Sequence, residues 1–255
     1  MSRFAVPVLP EPTDSLGKWP ARCWREYKTW CLGAASDCRI ASGSKSDIIR
    51  SVSKLRFSSA EAPFEAVSVA GEAARLLCQA EASGLWDPQS IVTRLDSGVF
   101  AEALGAIAAS GVAPARAIEW TAYADKGAEE FAGWIHGIRS DLAACPVPER
   151  ELGRLEDTLG AGDTHELLGV SASAYKRYRV GLREVPDVVA LRAHVVAGIV
   201  GDLAGSYNER GIRRWFKRPR PQLDGKAPSD VLSGDWNPDG EQTRRVAELA
   251  RHLTG

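Results

Sequence analysis

The chain has 255 residues, 44% of them hydrophobic, so it is long enough to bury a core and to hold two domains. This composition excludes a disordered tail. The 32 Lys and Arg residues nearly balance the 33 Asp and Glu residues, so the formal net charge of −1 excludes a strong overall attraction to phosphate.

The N-terminal sequence predicts neither a signal peptide nor a membrane anchor. Three prolines precede Trp19 and no continuous apolar segment is present, so a cytoplasmic protein is expected. Five cysteines are an odd number, which argues against a disulfide framework. Cys23, Cys31 and Cys38 lie on one helical stripe without a CxxC spacing, so we expect packed thiols and no metal site.

Helical patterns dominate the N-terminal half, and strand signals are scarce. Asp87 followed by Pro88 suits a helix N-cap and first turn, and Pro114 opens a further pattern in the same way. We therefore predict an all-α half whose helices pack through their apolar faces. The predicted helical segments are 21–35, 44–57, 62–80, 87–111 and 114–145.

The sequence CPVPE at residues 145–149 marks the clearest boundary, because two closely spaced prolines cannot lie within a continuing helix. It predicts a helical domain of unassigned role before the boundary and two smaller helical domains after it. The predicted domains are 1–145, 146–205 and 206–255.

A short helix, a glycine turn and a second helix are predicted directly after this boundary. Leu152, Leu155 and Leu159 form an apolar stripe on a further helix, which precedes the short helix. Asp163 is expected to cap the short helix, which ends at Leu168. This order of elements is typical of a helix-turn-helix, in which the second helix enters the major groove of DNA.

The second helix of this pair is predicted to be capped by Ser171 and to have a basic outer face. Tyr175, Tyr178 and Leu182 are expected on its inner side. The alternative is an ordinary helical pair with a solvated basic face. From Lys176 to Lys226 the sequence contains twelve basic and five acidic residues. The resulting net charge of +7 favours DNA binding. The predicted DNA-binding residues are Ser173, Lys176, Arg177 and Arg179, with Val180 on the same outer side.

The four histidines and the long apolar segment at 185–207 are first interpreted as core. His136, His165, His194 and His252 show no metal-ligand spacing. For the apolar segment, a central core helix and a dimer face are both open. The sharper hypothesis is a homodimer, since two-fold dimers are the usual way that helix-turn-helix proteins read two half-sites.

The stretch RRWFKRPRPQLDGKAPSDVLSG at 213–234 places two aromatic residues within a basic run and follows them with a proline-rich turn. Trp215 and Leu223 are expected to form a small core of their own, with the arginines outside it. Pro228 suits the first position of a short helix.

The spaced residues of this stretch resemble the C-terminal toxin-binding domain of the MbcA/ParS/Xre antitoxin family. The resemblance covers about residues 150–255, including the helix-turn-helix, and GDWNPDG at 234–240 departs from the family pattern. The matching residues are Trp215, Phe216, Pro219, Leu223, Gly225, Pro228, Leu232 and the final helix from Val246 to Leu253.

The resemblance implies an antitoxin of a type II toxin–antitoxin system. Its partner would be a RES-type toxin that consumes NAD, and the antitoxin would also bind its own operator DNA. The residues that would contact the toxin are Arg213, Arg214, Trp215, Lys217, Arg218, Arg251 and His252. The alternative for the basic residues between 213 and 220 is a contact with the DNA backbone.

Two other classes of function are weighed against the antitoxin. A stand-alone helix-turn-helix regulator of prophage type is the main alternative, with residues 1–145 as a second DNA-binding domain or an effector domain. An enzyme is not expected, because no GxGxxG, GxSxG, HExxH or P-loop pattern occurs, and no cofactor is predicted.

Overall fold

The structure, a computed structural model, describes residues 54–252. By its internal contacts the chain divides after Asp47, so every described residue belongs to the second unit, residues 48–255. The predicted helix at 21–35 and its cysteines lie outside the described residues.

Two short strands and twelve α-helices form the described part of the chain, which agrees with the predicted all-α class at this coarse level. The first portion contains β1 (Leu55–Ala60), α1 (Val67–Ala82), β2 (Val92–Leu95), α2 (Ser97–Ala109), α3 (Pro114–Ile118), α4 (Trp120–Ala124) and α5 (Ala128–Ala143). The second contains α6 (Pro148–Leu159), α7 (Ala161–Leu167), α8 (Ala172–Arg179), α9 (Asp187–Ala204), α10 (Glu209–Lys217), a 3₁₀ turn (Pro221–Leu223), α11 (Pro228–Val231) and α12 (Glu241–Arg251).

The two strands correct two predicted helices. β1 takes up the end of the predicted helix at 44–57, and β2 lies within the predicted helix at 87–111. The strands pair in parallel, with Leu55 opposite Val92. The helix after β2 begins at Ser97, because the Asp96 side chain accepts a hydrogen bond from the Val99 N–H at 3.0 Å and caps it there.

The segment 114–145 also differs from its prediction, because three helices replace one. Pro114 does occupy the first turn of α3, as predicted. The chain then breaks at Glu119 and again before α5, where Gly127 has a φ of 110° that a helix cannot contain. α5 ends at Ala143 and α6 begins with Pro148, so the predicted break at 145–149 is present.

Two clusters of buried apolar side chains make up the core of the described residues. The N-terminal cluster runs from Leu55 to Val147. The C-terminal cluster runs from Leu152 to Ala250 and also takes in Ala82 at the end of α1. Residues on both sides of the predicted boundary at 205/206 belong to the C-terminal cluster, and the domain boundaries themselves stay predictions.

Helices α1 and α9 join the two clusters by packing against each other. They approach closely at Gly201, where an added Cβ would lie 3.0 Å from the Gln79 Cα atom. The Gln79 amide donates to Asp202 at 3.3 Å and accepts from Arg139 on α5 at 3.3 Å. Close backbone contact and a bridging amide therefore connect α5, α1 and α9.

Helix α9 is the central helix of the C-terminal cluster and contacts α1, α6, α10 and α12. No residue from Val189 to Ala204 is exposed. The interpretation of this segment as core is therefore confirmed, and α9 offers no free face for a second copy between those residues. A homodimer formed through another surface stays a prediction.

Candidate nucleic-acid and partner-binding surfaces

Helices α7 and α8 form the predicted short pair, joined by a turn at residues 168–171. The Ser171 side chain accepts a hydrogen bond from the Ala174 N–H at 3.2 Å, so the predicted cap of α8 is confirmed. α7 begins three residues earlier than predicted, and Asp163 lies inside its first turn instead of capping it. Gly160, with a φ of 88°, separates α6 from α7.

The inner face of α8 packs through two tyrosines. Tyr175 and Tyr178 are buried, and the Tyr175 hydroxyl donates to the Leu152 carbonyl at 3.0 Å. The same oxygen lies 3.2 Å from Glu156, and burial together with this carboxylate raises the pKa of Tyr175. This neutral, hydrogen-bonded tyrosine fixes the rotation of α8 about its axis.

The outer face of α8 combines basic, polar and apolar side chains around one shallow depression. Ser173, Lys176, Arg177, Val180 and Leu182 line it. Leu182 was predicted on the inner side, but α8 ends at Arg179 and the chain turns, leaving Leu182 79% exposed. We call these five residues the α8 surface.

Arg179, the fourth predicted DNA-binding residue, does not belong to the α8 surface. Its Nε lies 3.3 Å from a Glu156 oxygen, on the side that faces α6. Gly153 of α6 leaves room for this guanidinium, since an added Cβ would lie 3.0 Å from the Arg179 Nη2 atom. The structure therefore assigns Arg179 to a contact between α8 and α6.

A buried arginine connects the turn of the α7–α8 pair to the segment before α12. The Arg192 Nη1 atom donates to the Leu168 carbonyl at 3.2 Å, and its Nε and Nη2 atoms donate to the Trp236 carbonyl at 3.0 and 2.7 Å. Arg192 Nη2 also lies 2.6 Å from Asp235. The Trp236 indole donates to the Leu167 carbonyl at 2.7 Å. We call the contacts of Arg192 and Trp236 the Arg192 clasp.

Through the Arg192 clasp, the segment GDWNPDG supports the end of α7, a structural role that the sequence did not indicate. The last carbonyls of a helix lack partners within the helix. Here Trp236 and Arg192 supply donors to Leu167 and Leu168 at the end of α7. The segment 234–240 is thus an integral support of the helix pair.

The five cations of the basic stretch at 209–218 divide into two groups. Arg213 donates to the Thr158 carbonyl at 2.7 Å and pairs with Glu209 at 3.0 Å. Lys217 lies 2.8 Å from Asp163 on α7. These two predicted toxin-contacting residues therefore hold α10 against α6 and α7.

The second group faces away from the core. Arg214 and Arg218 are exposed, and neither makes an ion pair with another described residue. Arg210 is exposed as well, one helical turn before Arg214, and was not among the predicted site residues. We call Arg210, Arg214 and Arg218 the α10 row.

Trp215 is a core residue, not a surface contact. It is 2% exposed, packs edge to face on Phe216 with 5.3 Å between ring centroids, and has the Arg220 guanidinium over its ring at 5.4 Å. Leu223 and Leu232 are buried in the same cluster. The predicted burial of Trp215 and Leu223 and the start of α11 at Pro228 are confirmed, but the two residues belong to the C-terminal cluster and not to a separate small core. Trp215 is therefore removed from the candidate surface residues.

The last two predicted partner residues lie at the end of α12. Arg251 is exposed, with its Nε 3.8 Å from Asp202 of α9. His252 is exposed and its Nδ1 lies 2.7 Å from the Glu248 carbonyl. The next residues lie outside the described range.

The histidines differ in their surroundings. His136 and His252 are exposed, so the prediction that they pack in the core is wrong. His165 is half-buried and its Nδ1 lies 3.2 Å from the Val170 carbonyl across the turn. His194 is enclosed between Glu151 and the Ala143 carbonyl. Within residues 54–252, no group of His, Cys, Asp or Glu side chains could hold a metal ion.

Comparison of the chain with family models, with curated proteins and with solved structures found no match. Among the helices of the described residues, none has both the length and the apolar character needed to cross a membrane.

Proposed function

We propose that this protein is a cytoplasmic antitoxin that neutralises a RES-type toxin and binds its own operator DNA. The observation that carries the proposal is the separation of buried apolar residues from exposed cations within 209–251. The positions that resemble the toxin-binding domain, such as Trp215, Leu223 and Leu232, form a buried core, while the α10 row stays exposed beside it. A buried motif that displays cations suits a domain built to hold a partner.

The partner surface is assigned to the α10 row and the end of α12. Arg213 and Lys217 are excluded, because both are bound to α6 and α7. Exposed arginines are favoured contacts at protein interfaces, since the planar guanidinium binds carboxylates through two hydrogen bonds. The toxin is therefore expected to present acidic side chains to α10.

Charge reversal of one residue tests this assignment. The intact chain, co-expressed with the product of its neighbouring gene, should capture that product and restore cellular NAD and growth. Arg214→Glu should abolish capture by opposing the acidic surface. Arg150→Glu is the matched control, because Arg150 is also an exposed helix arginine, near the start of α6.

Point substitutions are preferred to truncation for this test. A chain ending at Ser206 would lose α10 to α12 and uncover α9, so any loss of binding would follow from a damaged core. Retained capture by Arg214→Glu would contradict the proposed surface, and no capture by the intact chain would contradict the antitoxin.

A stand-alone regulator is the second candidate, and the α8 surface favours it. Lys176 and Arg177 are exposed and neither forms an ion pair with another described residue. Cations placed in this way can reach phosphates and base edges when α8 enters the major groove.

Changing both residues to Ala should weaken binding to the DNA upstream of the gene and lower its salt slope by about 2. Lys126→Ala, an exposed lysine near the start of α5, is the control. DNA binding without any toxin capture would favour the regulator, and unchanged DNA binding by the double variant would contradict a role for α8 as recognition helix.

A further inference from the structure

The α8 surface contains two exposed apolar side chains that cation-mediated binding does not require. Val180 is 57% exposed and Leu182 is 79% exposed, and both line the same depression as Ser173, Lys176 and Arg177. Apolar side chains left at the surface next to functional residues commonly mark a binding site.

The charges around these two residues favour a polyanion as their occupant. Lys176 and Arg177 flank them and form no ion pair among the described residues. A second copy of this chain would bring the same cations against each other, which costs free energy. A surface that mixes cations with aliphatic groups fits the DNA major groove, where guanine acceptors lie beside the C5-methyl groups of thymine.

We propose that Val180 and Leu182 read thymine by packing against its C5-methyl group, while Ser173, Lys176 and Arg177 contact neighbouring base edges and phosphates. This inference rests on the proposed binding of DNA through α8. Eight helical residues span about 12 Å, and the major groove is about 12 Å wide. The helix and the turn that follows it can therefore place all five side chains within one groove.

Thymine and uracil differ at this edge only by the methyl group, which allows a direct test. The probe is the shortest duplex from the DNA upstream of the gene that the full chain protects from nuclease. Uracil replaces thymine at one base pair at a time, and the dissociation constant is measured at fixed salt. Removing one buried methyl group is expected to weaken binding about fourfold at the positions that are read.

Each aliphatic side chain is then truncated. Val180→Ala or Leu182→Ala should bind the thymine duplex more weakly and should lose the uracil effect at its own position. Ile118→Ala is the matched control, since Ile118 is 83% exposed at the end of α3, and it should behave as the intact chain does. All three side chains are exposed, so their truncation leaves the core intact.

The outcomes separate this inference from the proposed function. Binding that depends on Lys176 but is insensitive to uracil at every position would overturn the reading of thymine and leave DNA binding in place. Unchanged DNA affinity of Val180→Ala together with lost capture of the neighbouring gene product would assign Val180 to a contact with a protein. That result would also overturn the reading of thymine. An intact chain that protects no upstream DNA would overturn both the reading of thymine and the proposed binding of operator DNA.

Discussion

Gly169, in the turn between α7 and α8, has both a left-handed backbone and a crowded neighbourhood. Its φ is 67°, which costs other residues roughly 1–2 kcal/mol. An added Cβ would also collide with the Gly234 carbonyl oxygen and lie 2.7 Å from the Arg192 Nη1 atom. The tight approach of the segment before α12 therefore requires glycine at this position.

Gly169→Ala should lower the free energy of unfolding by about 3 kcal/mol in chemical denaturation, because strain and collision add. Gly225→Ala separates the two effects, since Gly225 has a φ of 78° but no described atom lies within 4 Å of an added Cβ. It should cost about 1 kcal/mol. Equal losses in the two variants would show that the contact with Gly234 contributes nothing.

The partners of His194 favour its protonated form. Nδ1 lies 2.5 Å from a Glu151 oxygen and Nε2 lies 3.0 Å from the Ala143 carbonyl, so both nitrogens face acceptors. Burial lowers the pKa of His194, but the hydrogen bond and charge of Glu151 outweigh it, and the pKa is raised above its ordinary value of 6.5.

Because the folded pKa is the higher one, this pair stabilises the fold fully below about pH 6.5 and less as the pH rises through the raised pKa. Denaturation between pH 6 and 9 should therefore show a loss of stability with rising pH. His194→Gln should remove that part of the slope, although it is less stable throughout. His252→Gln, at an exposed position, should retain the slope.

At the scale of elements, helix α2 shows which of two aspartates acts as a cap. Asp96 accepts from the Val99 N–H, and this hydrogen bond lowers the pKa of Asp96. Asp87, the predicted cap, instead forms an exposed ion pair with Lys54 at 2.8 Å. Asp96→Ala should cost about 1 kcal/mol of stability and Asp87→Ala no more than about 0.5 kcal/mol. A greater loss from Asp87→Ala would contradict the observed start of the helix.

Local signals in the sequence predicted some elements of the C-terminal portion well. The leucine stripe of α6, the Ser171 cap and the proline start of α11 depend on residues close together in the chain, so pattern and structure agree. β2 was missed because its pairing with β1 is a long-range contact, and four residues carry too little periodicity to outweigh a helical pattern.

The candidate surfaces were predicted only in part, for a related reason. The cations of α8 and α10 could be found from composition, but their partners could not. Arg179 is bound to a residue of α6, and Lys217 to a residue of α7. Arg213 is bound to α6 and to Glu209 of its own helix. A lone arginine in an apolar helix needs buried acceptors, so the sequence around Arg192 does indicate a buried hydrogen-bonded contact.

At the scale of the whole molecule, the C-terminal cluster joins the helix pair and the segment after it into one core. Trp236→Phe keeps the ring stacked near Arg192 but removes the indole donor to Leu167, and should cost about 1–2 kcal/mol. Trp134→Phe is the matched control, because the buried Trp134 indole nitrogen has no hydrogen-bond partner among residues 54–252. It should cost only the free energy that the smaller ring loses in packing, and therefore less than Trp236→Phe; a similar loss in both variants would count against the clasp.

The Arg192 clasp also determines when, during synthesis of the chain, the α7–α8 pair can form all of its contacts. A ribosome makes Leu167 69 residues before Trp236, which corresponds to about 3–14 seconds of synthesis. Throughout that interval the Leu167 carbonyl lacks its indole donor, and Arg192, once made, precedes the Trp236 carbonyl that it binds by 44 residues. The α7–α8 pair therefore reaches its final contacts only after Trp236 has been made, although both of its helices are synthesised earlier.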